Sequence, residues 1–390
     1  MVIFILLLIF APIISIPVNF IAIIKTPNSG NAIKHAVLFS LGLAFLAYHI
    51  VPDMDMDLYR YYLRMEQMAD IQTLDSIRQE ISSFNAEFIS YYLMYIISKT
   101  GYYGLYPAIS VAYTYGVCLY VLIHICNERN YSTFDARIAI LVLFAWLSSD
   151  AVVSGIRYNM AFATLLLTIY LEYSCSAKKI ICFPLYFCTM LIHSSFIVFV
   201  LLRILLPFME RNKAFRYVAF AMFATWSIYF GSLADIANDL SFYNDGYLSE
   251  KLENYSTVHQ GGRIGKFIVR FAKLLLCIII SITLMRKHTK AEENDSNLKS
   301  VQIYNTANAL LVVGAMNRLI YVSRFFQVLT SFIPFFIIDV LKDNNKRYKI
   351  LISLIVVLVS LFFLYDQQST LGMRLNTSIA SLLFKPIFIL

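Results

Sequence analysis

Three aspartates lie within five residues of one another in the segment 51–64, which reads VPDMDMDLYRYYLR. In an extended chain Asp53, Asp55 and Asp57 share one face, whereas in a helix Asp53 and Asp57 share a face and Asp55 points away. Two carboxylates therefore converge in either conformation. Paired carboxylates suit proton removal from a sugar hydroxyl or binding of a divalent cation. The alternative is a solvated acidic segment that caps the following helix.

Two basic side chains occur at breaks between apolar runs. Arg157 opens the apolar run 157–173, and His193 interrupts the apolar run 180–207. An arginine at the start of a membrane helix is costly unless it pairs or reaches the interface, so Arg157 is either a phosphate clamp or a snorkelling anchor. His193 is either an acid, base or phosphate donor, or a neutral buried histidine bonded to a carbonyl.

A second basic group lies nearer the C-terminus. Arg318 and Arg324 flank Tyr321 and, being six residues apart, would lie about 120° apart on an unbroken helix. They converge on an anionic, sugar-bearing ligand only if the helix breaks between them. Arg263, in HQGGRIGK, adds positive charge without the glycine and lysine spacing of a phosphate loop. Its alternative role is interfacial anchoring beside lipid phosphates.

Aromatic residues and two further acids complete the set. Tyrosines cluster in two places, where they are either sugar-stacking platforms or membrane-belt residues. Glu87 and Glu172 are expected to be structural or interfacial partners rather than catalytic groups. The two clusters are Tyr59, Tyr61 and Tyr62, and Tyr102, Tyr103 and Tyr106.

The composition decides which elements position these residues. Of 390 residues, 59% are hydrophobic and 14% are charged, against about 25% charged in soluble domains. Apolar stretches recur along the whole chain, which predicts an all-α polytopic membrane protein with about 12 transmembrane helices. We expect 1–390 to form a single integral membrane domain, beginning with an uncleaved helix near 2–24. With no soluble catalytic domain, a site must be built from helix ends and loops.

The distribution of charge predicts the topology. The net charge of +8 comes mainly from short basic loops, which the positive-inside rule places in the cytoplasm, and it does not indicate nucleic-acid binding. The loops 52–84 and 234–266 are acidic and are expected outside. The six cysteines form no CxxC pair, so we expect neither a disulfide framework nor a zinc site.

This topology holds under two conditions. The segment 86–98 is too short to span the bilayer and must re-enter or lie in the interface. The run 180–207 must break near His193 and turn back as two short helices, as irregular backbone lining a cavity does. Under these conditions the basic residues singled out above and the three aspartates share the external side. We therefore expect one external cavity.

Four short motifs occur in an order that resembles the EpsG-like group of Wzy-type polysaccharide polymerases, over essentially the whole chain. The chain departs from the pattern in having a third aspartate, and in having Tyr158-Asn159 where relatives commonly have a glutamine. The motifs are D-x-D-x(n)-Y at Asp53, Asp55, Asp57 and Tyr59, G-x-R-x-x-x-A at Gly155, Arg157 and Ala161, H-x-S at His193 and Ser195, and R-F at Arg324 and Phe325.

The resemblance implies a fold like that of the GT-C-type glycosyltransferases and a specific reaction. Such polymerases serve O-antigen, capsule or exopolysaccharide synthesis. They transfer a growing glycan from undecaprenyl diphosphate to the non-reducing end of a lipid-linked repeat unit, at the periplasmic or outer face of the bacterial inner membrane. Because the donor is already activated, no cofactor is expected. A chain-length regulator and a repeat-unit flippase are the implied partners.

The same resemblance suggests roles for individual residues. Arg157, Arg318 and Arg324 would hold the departing diphosphate, because cationic groups stabilise the charge that develops on it. Asp55 or Asp57, with Asp53 as a further option, would deprotonate the acceptor hydroxyl. His193 would be a second donor to the diphosphate or the acceptor. The alternatives are a flippase or transporter of lipid-linked oligosaccharide, and a ligase-type glycosyltransferase such as an O-antigen ligase.

Overall fold

The computed structural model describes residues 1–54, 56–71, 87–147, 149–175, 177–225 and 296–314, with isolated positions between 328 and 387. Every secondary-structure element in this part of the chain is a helix, and a single antiparallel bridge joins Ile50 to Leu375. The predicted all-α class is therefore confirmed for the described residues. The chain divides into two compact units, one of residues 1–200 with 337–390 and one of residues 201–336. The prediction of a single membrane domain stays untested.

The first unit contains ten α-helices among its described residues. A 3₁₀ turn at Ser194–Phe196 follows them and leads into α11, Ile197–Arg211, which continues into the second unit. The second unit also contains helical residues 213–225 and α12, Ser296–Gly314. The ten helices are α1 Val2–Phe10, α2 Pro12–Lys25, α3 Gly30–Tyr48, α4 Asp57–Ala69, α5 Phe88–Ser98, α6 Leu105–Glu128, α7 Thr133–Trp146, α8 Ser149–Ser154, α9 Ile156–Tyr173 and α10 Lys179–Ile192.

The core of the first unit is built around α6, which packs on both α3 and α9. Helix α2 packs on α3, and α10 packs on α9. At Gly42 the backbones of α2 and α3 come close, since a Cβ there would lie 2.8 Å from Cγ1 of Ile16 and 3.2 Å from the carbonyl oxygen of Pro12. Small residues at such crossings are typical of membrane helix pairs.

Two of the described helices are long and apolar enough to cross a bilayer. These are α3 with 19 residues and α6 with 24 residues, which correspond to lengths of about 28 and 36 Å. Shorter apolar helices surround them, including α2, α5 and most of α10. The total of about 12 spans, the GT-C-type arrangement and the external cavity stay predictions.

The N-terminal apolar run differs from its prediction as one helix near 2–24. The helix is interrupted at Ala11, whose φ of −146° and ψ of 66° are not helical, and α2 starts at Pro12. Proline lacks an N–H and restricts the residue before it, so the helix ends there. Two shorter helices therefore replace the predicted single one.

The two short segments behave as the sequence predicts in length and continuity. Helix α5 has 11 residues, or about 16 Å, which is too short to span the bilayer. The run 180–207 breaks at His193, where φ is −149° and ψ is 117°, between α10 and the 3₁₀ turn. The break is confirmed, whereas the reversal of direction and the orientation of the loops stay predictions.

The predicted external loop 52–84 contains the amphipathic helix α4. Its Leu58, Tyr61, Met65 and Met68 are buried, and this spacing of three and four residues forms one helical face. The end of α4 is held by Lys99, whose ammonium donates to the carbonyl oxygens of Met68, Ala69 and Ile71 at 3.3, 2.7 and 2.5 Å. A cation at this end also interacts favourably with the helix dipole.

Candidate functional site

Arg157 is the centre of a polar cluster in the first unit. It lies one residue inside the N-terminus of α9, and its side chain is 14% exposed. Nε donates to the hydroxyl of Tyr61 at 3.1 Å, and Nη1 donates to the carboxylate of Glu87 and to the hydroxyl of Tyr91 at 3.3 Å. None of the described residues accepts a hydrogen bond from Nη2. Three of the five guanidinium N–H groups therefore hold the side chain, and two point elsewhere.

Two tyrosine rings lie beside the Arg157 guanidinium. Its central carbon is 5.0 Å from the ring centroid of Tyr61 and 5.6 Å from that of Tyr91. Both distances are within the range of cation–π attraction. Tyr106 packs edge-on against Tyr61 at 5.6 Å and is fully buried, and its hydroxyl has no hydrogen-bond partner in the part of the chain that the structure describes. An unpaired buried hydroxyl beside an arginine favours binding of a water or ligand oxygen.

A second arginine joins this cluster through Tyr91. Nη1 of Arg64 donates to the Tyr91 hydroxyl at 2.7 Å, and its guanidinium lies 5.2 Å from the ring centroid. Arg64 and Tyr61 are three residues apart on α4, so they share a face of that helix. Arg64 was not among the residues predicted from the sequence to form the site. The helical spacing of Leu58, Tyr61 and Met65 would have predicted that this face of α4 packs against the rest of the protein.

Glu87 connects the cluster to the break in the helix at His193. Its side chain is 6% exposed, and Oε1 accepts from the backbone N–H and the hydroxyl of Ser194 at 3.2 and 3.0 Å while Oε2 binds Arg157. Ser90, one turn later on α5, donates to the carbonyl oxygen of Ile192 at 2.8 Å. The expected structural role of Glu87 thus takes the form of an ion pair with the most prominent site arginine.

His193 is held as a neutral ring with a defined proton. Nδ1 accepts from the backbone N–H of Ser195 at 3.2 Å and is 2.8 Å from its hydroxyl oxygen. Because a backbone N–H can only donate, Nδ1 carries the lone pair and the proton lies on Nε2. The rings of Tyr158 and Phe196 pack at 5.4 and 6.2 Å. The geometry therefore favours His193 as a hydrogen-bond donor over a general base.

The described acidic residues lie near the start of α4. Asp57 is the first helical residue, and its carboxylate lies 3.4 Å from Nη2 of Arg60. Asp53 is exposed and precedes the helix, so it does not share a helical face with Asp57. Tyr59 is half-buried. Asp57 is one turn before Tyr61, whose phenol has its pKa raised by burial and is therefore protonated at neutral pH.

Five of the predicted site residues lie outside the described residues. Their approach to Arg157 and His193 stays a prediction. Within the described ranges, no three histidine, cysteine or acidic side chains are placed to hold a metal ion. The five are Asp55, Arg263, Arg318, Tyr321 and Arg324.

All of the predicted site residues lie in a part of the chain that matches a known family. The model of the EpsG family matches residues 33–370 of the chain. The chain belongs to the EpsG family. No curated protein matches it, and no solved structure does. The resemblance seen in the four motifs is therefore confirmed. Membership of the EpsG family and the apolar helices indicate a membrane protein with a polymerase-like role in polysaccharide synthesis.

Proposed function

We propose that this EpsG-family chain polymerises glycan repeat units. It transfers a growing glycan from undecaprenyl diphosphate to the non-reducing end of a lipid-linked repeat unit at the outer face of the bacterial inner membrane. The family match over residues 33–370 supports the reaction class. The observation that carries the proposed site is the Arg157 cluster. It presents guanidinium N–H groups and a buried Tyr106 hydroxyl that have no hydrogen-bond partner among the described residues.

The reaction places a clear demand on such a cluster. The bond between the anomeric carbon and the phosphate oxygen breaks, a bond forms to the acceptor oxygen, and the acceptor proton passes to a base. Negative charge develops on the leaving diphosphate, where preorganised donors stabilise it. Charge-assisted hydrogen bonds from a guanidinium to phosphate are among the strongest in proteins.

In this proposal Arg157 binds the leaving diphosphate through Nη2. Arg64 is partly exposed and shares the Tyr91 hydroxyl with Arg157, so it adds a second positive charge at the same place. The hydroxyl of Tyr106 and Nε2 of His193 supply further donors. Arg318, Arg324 and Arg263 are proposed to add positive charge from outside the described part of the chain.

The acceptor hydroxyl is proposed to lose its proton to the aspartate segment. Asp57 and Asp53 are at least partly exposed, as a base that meets a glycan must be. Tyr59 and Tyr321 are proposed to contact the sugars. The multi-pass topology, the external orientation of the site, and assistance from a chain-length regulator and a flippase belong to the same proposal.

The proposal is tested by the surface glycan of cells that carry single variants. Arg157→Gln should leave surface lipid with one repeat unit and remove the ladder of longer chains, because the leaving diphosphate loses the guanidinium that binds it. Arg137→Gln is the matched control, since Arg137 is exposed and donates to the carbonyl oxygens of Ile24 and Lys25. Immunoblotting of membranes checks that both variants accumulate.

The pattern of loss separates the alternatives. Disappearance of every surface repeat, including the single unit, would indicate a flippase or ligase instead of a polymerase. A ladder unchanged by Arg157→Gln would exclude the Arg157 cluster as the site.

A further inference from the structure

Glu87 joins three parts of the first unit that are distant in sequence. It is the N-cap residue of α5, it binds Arg157 at the start of α9, and it accepts two hydrogen bonds from Ser194 after the break at His193. Oε2 of Glu87 binds Arg157, and Oε1 accepts from Ser194. The Glu87 side chain thus connects Arg157, the proposed diphosphate-binding residue, to the break beside His193, the proposed second donor.

We propose that Glu87 is a positioning residue, which orients the Arg157 guanidinium and fixes the break at His193 so that both donors face one diphosphate. This inference rests on the proposed function. It assigns Glu87 no contact with substrate. The reason is geometric, since small misplacements of groups that stabilise a transition state are costly to the rate.

The carboxylate also offsets an electrostatic cost at Arg157. A positive side chain in the first turn of a helix faces the positive end of the helix dipole, and burial removes it from water. Glu87 compensates both effects while leaving Nη2 of Arg157 to other partners. Because the pair occupies Nη1, the guanidinium plane is held with Nη2 directed away from Glu87.

Displacement of Glu87 by the diphosphate is disfavoured. Its side chain is 6% exposed and accepts from Ser194 as well as from Arg157. A diphosphate that replaced it would leave the backbone N–H of Ser194 without its acceptor, which is costly for a group in this environment. The ligand is therefore expected beside the ion pair and not in place of the carboxylate.

The same carboxylate lies 4.0 Å from Nδ1 of His193. Glu87 holds the N–H of Ser194, and His193 holds the N–H of Ser195. Consecutive backbone groups at the break are thus fixed by two side chains, and the direction of the His193 ring follows from both. Loss of the carboxylate would alter the ring orientation as well as the guanidinium.

The test uses the full-length chain in detergent with lipid-linked repeat units extracted from host cells that lack the gene. Glu87→Gln keeps the shape and one acceptor oxygen, but sets an amide N–H₂ against the arginine. We expect kcat to fall about tenfold to a hundredfold, with KM and the inhibition constant of inorganic pyrophosphate changed by less than about threefold. Misorientation affects the transition state more than simple anion binding.

Glu172→Gln is the matched control, because Glu172 accepts a hydrogen bond from the Tyr186 hydroxyl at 2.8 Å outside the cluster. It should leave kcat unchanged. If Glu87→Gln loses activity, pyrophosphate inhibition and thermal stability together, Glu87 is merely structural and the inference is wrong. A normal kcat for Glu87→Gln overturns it as well.

A double-mutant cycle distinguishes this inference from the proposed function. Arg157→Lys should lower kcat because a lysine cannot use the same fork of donors, and adding Glu87→Gln should cost little more, since the residue to be oriented is gone. Multiplicative losses would contradict positioning through Arg157. A normal kcat for Arg157→Lys and Arg157→Gln would reject the proposed site itself, whatever Glu87 does.

Discussion

The carboxylate of Glu87 binds the guanidinium of Arg157 across 70 positions of the chain. Both side chains are largely buried, and Tyr61 and Tyr91 add hydrogen bonds to the same guanidinium. A buried ion pair of this kind is a poor source of net stability, yet breaking it from one side is costly. Its presence at the start of α9 is better explained by the need to orient an arginine than by stability.

Tyr91→Phe should lower polymer synthesis while leaving the fold intact. The ring remains, but the hydroxyl that accepts from Arg64 at 2.7 Å and from Arg157 at 3.3 Å is lost. Hydrogen bonds to charged groups contribute about 1.5–3 kcal/mol, so we expect a loss of about tenfold or more in kcat. The exposed neighbour supplies the control, since Tyr92→Phe should retain activity. Equal activity of the two variants would contradict a shared role for the Tyr91 hydroxyl.

Arg64→Gln should shorten the glycan ladder, because one of the two guanidinium groups at Tyr91 is removed. We expect a smaller effect than for Arg157→Gln, since Arg64 is partly exposed and a partly solvated charge contributes less. Gel analysis of surface glycan measures the chain length. Arg211→Gln, at an exposed arginine in the last turn of α11, provides the comparison. Ladders of normal length in Arg64→Gln would remove Arg64 from the site.

Asp57→Asn should reduce activity more than Asp53→Asn. Asp57 is one helical turn before Tyr61, which binds Arg157, whereas Asp53 precedes the helix. The ion pair of Asp57 with Arg60 is exposed and is worth at most about 1 kcal/mol, so a large effect would reflect chemistry and not stability. Initial rates with extracted lipid-linked repeat units provide the measurement. The reverse order of effects would point to Asp53 as the base.

Lys99→Met should destabilise α4 without removing any site residue. The ammonium donates to three carbonyl oxygens at the end of α4, and an exposed cation at a helix C-terminus contributes about 0.3–1 kcal/mol. Limited proteolysis should cut the 57–71 segment faster in this variant than in Lys178→Met, a change at an exposed lysine before α10. Unchanged cleavage would mean that the buried face of α4 is sufficient to hold the helix.

The predicted topology can be read from cysteine accessibility in a cysteine-free background. A membrane-impermeant thiol reagent should label Gln67→Cys on intact spheroplasts, and should label Lys178→Cys only after permeabilisation. Both positions are exposed, so failure to react reports the side of the membrane. Labelling at 178 but not at 67 would invert the orientation on which the external site depends.

Much of the local structure could be predicted from the sequence. The shortness of α5 and the break at His193 were predicted from the length of apolar runs and from the requirement that basic loops lie on one side. The prediction of a single helix near 2–24 was wrong, because Pro12 interrupts the helix even within a continuous apolar run. In the structure Glu87 lies between Arg157 and His193, whereas the sequence predicted only a structural role for Glu87; the roles of Arg157 and His193 in a site stay predictions.

By itself, the sequence determined the all-α membrane class, the family and the arginine at the start of α9, because composition, motif order and hydrophobic periodicity are local properties. Only the tertiary structure decided that Glu87 joins Arg157 to Ser194 and that Arg64 reaches Tyr91. Periodicity defines which face of a helix is buried, but not which helix packs against it. The partner of a buried charge depends on that packing, since the ion pair forms only where α4, α5, α9 and the break at His193 meet.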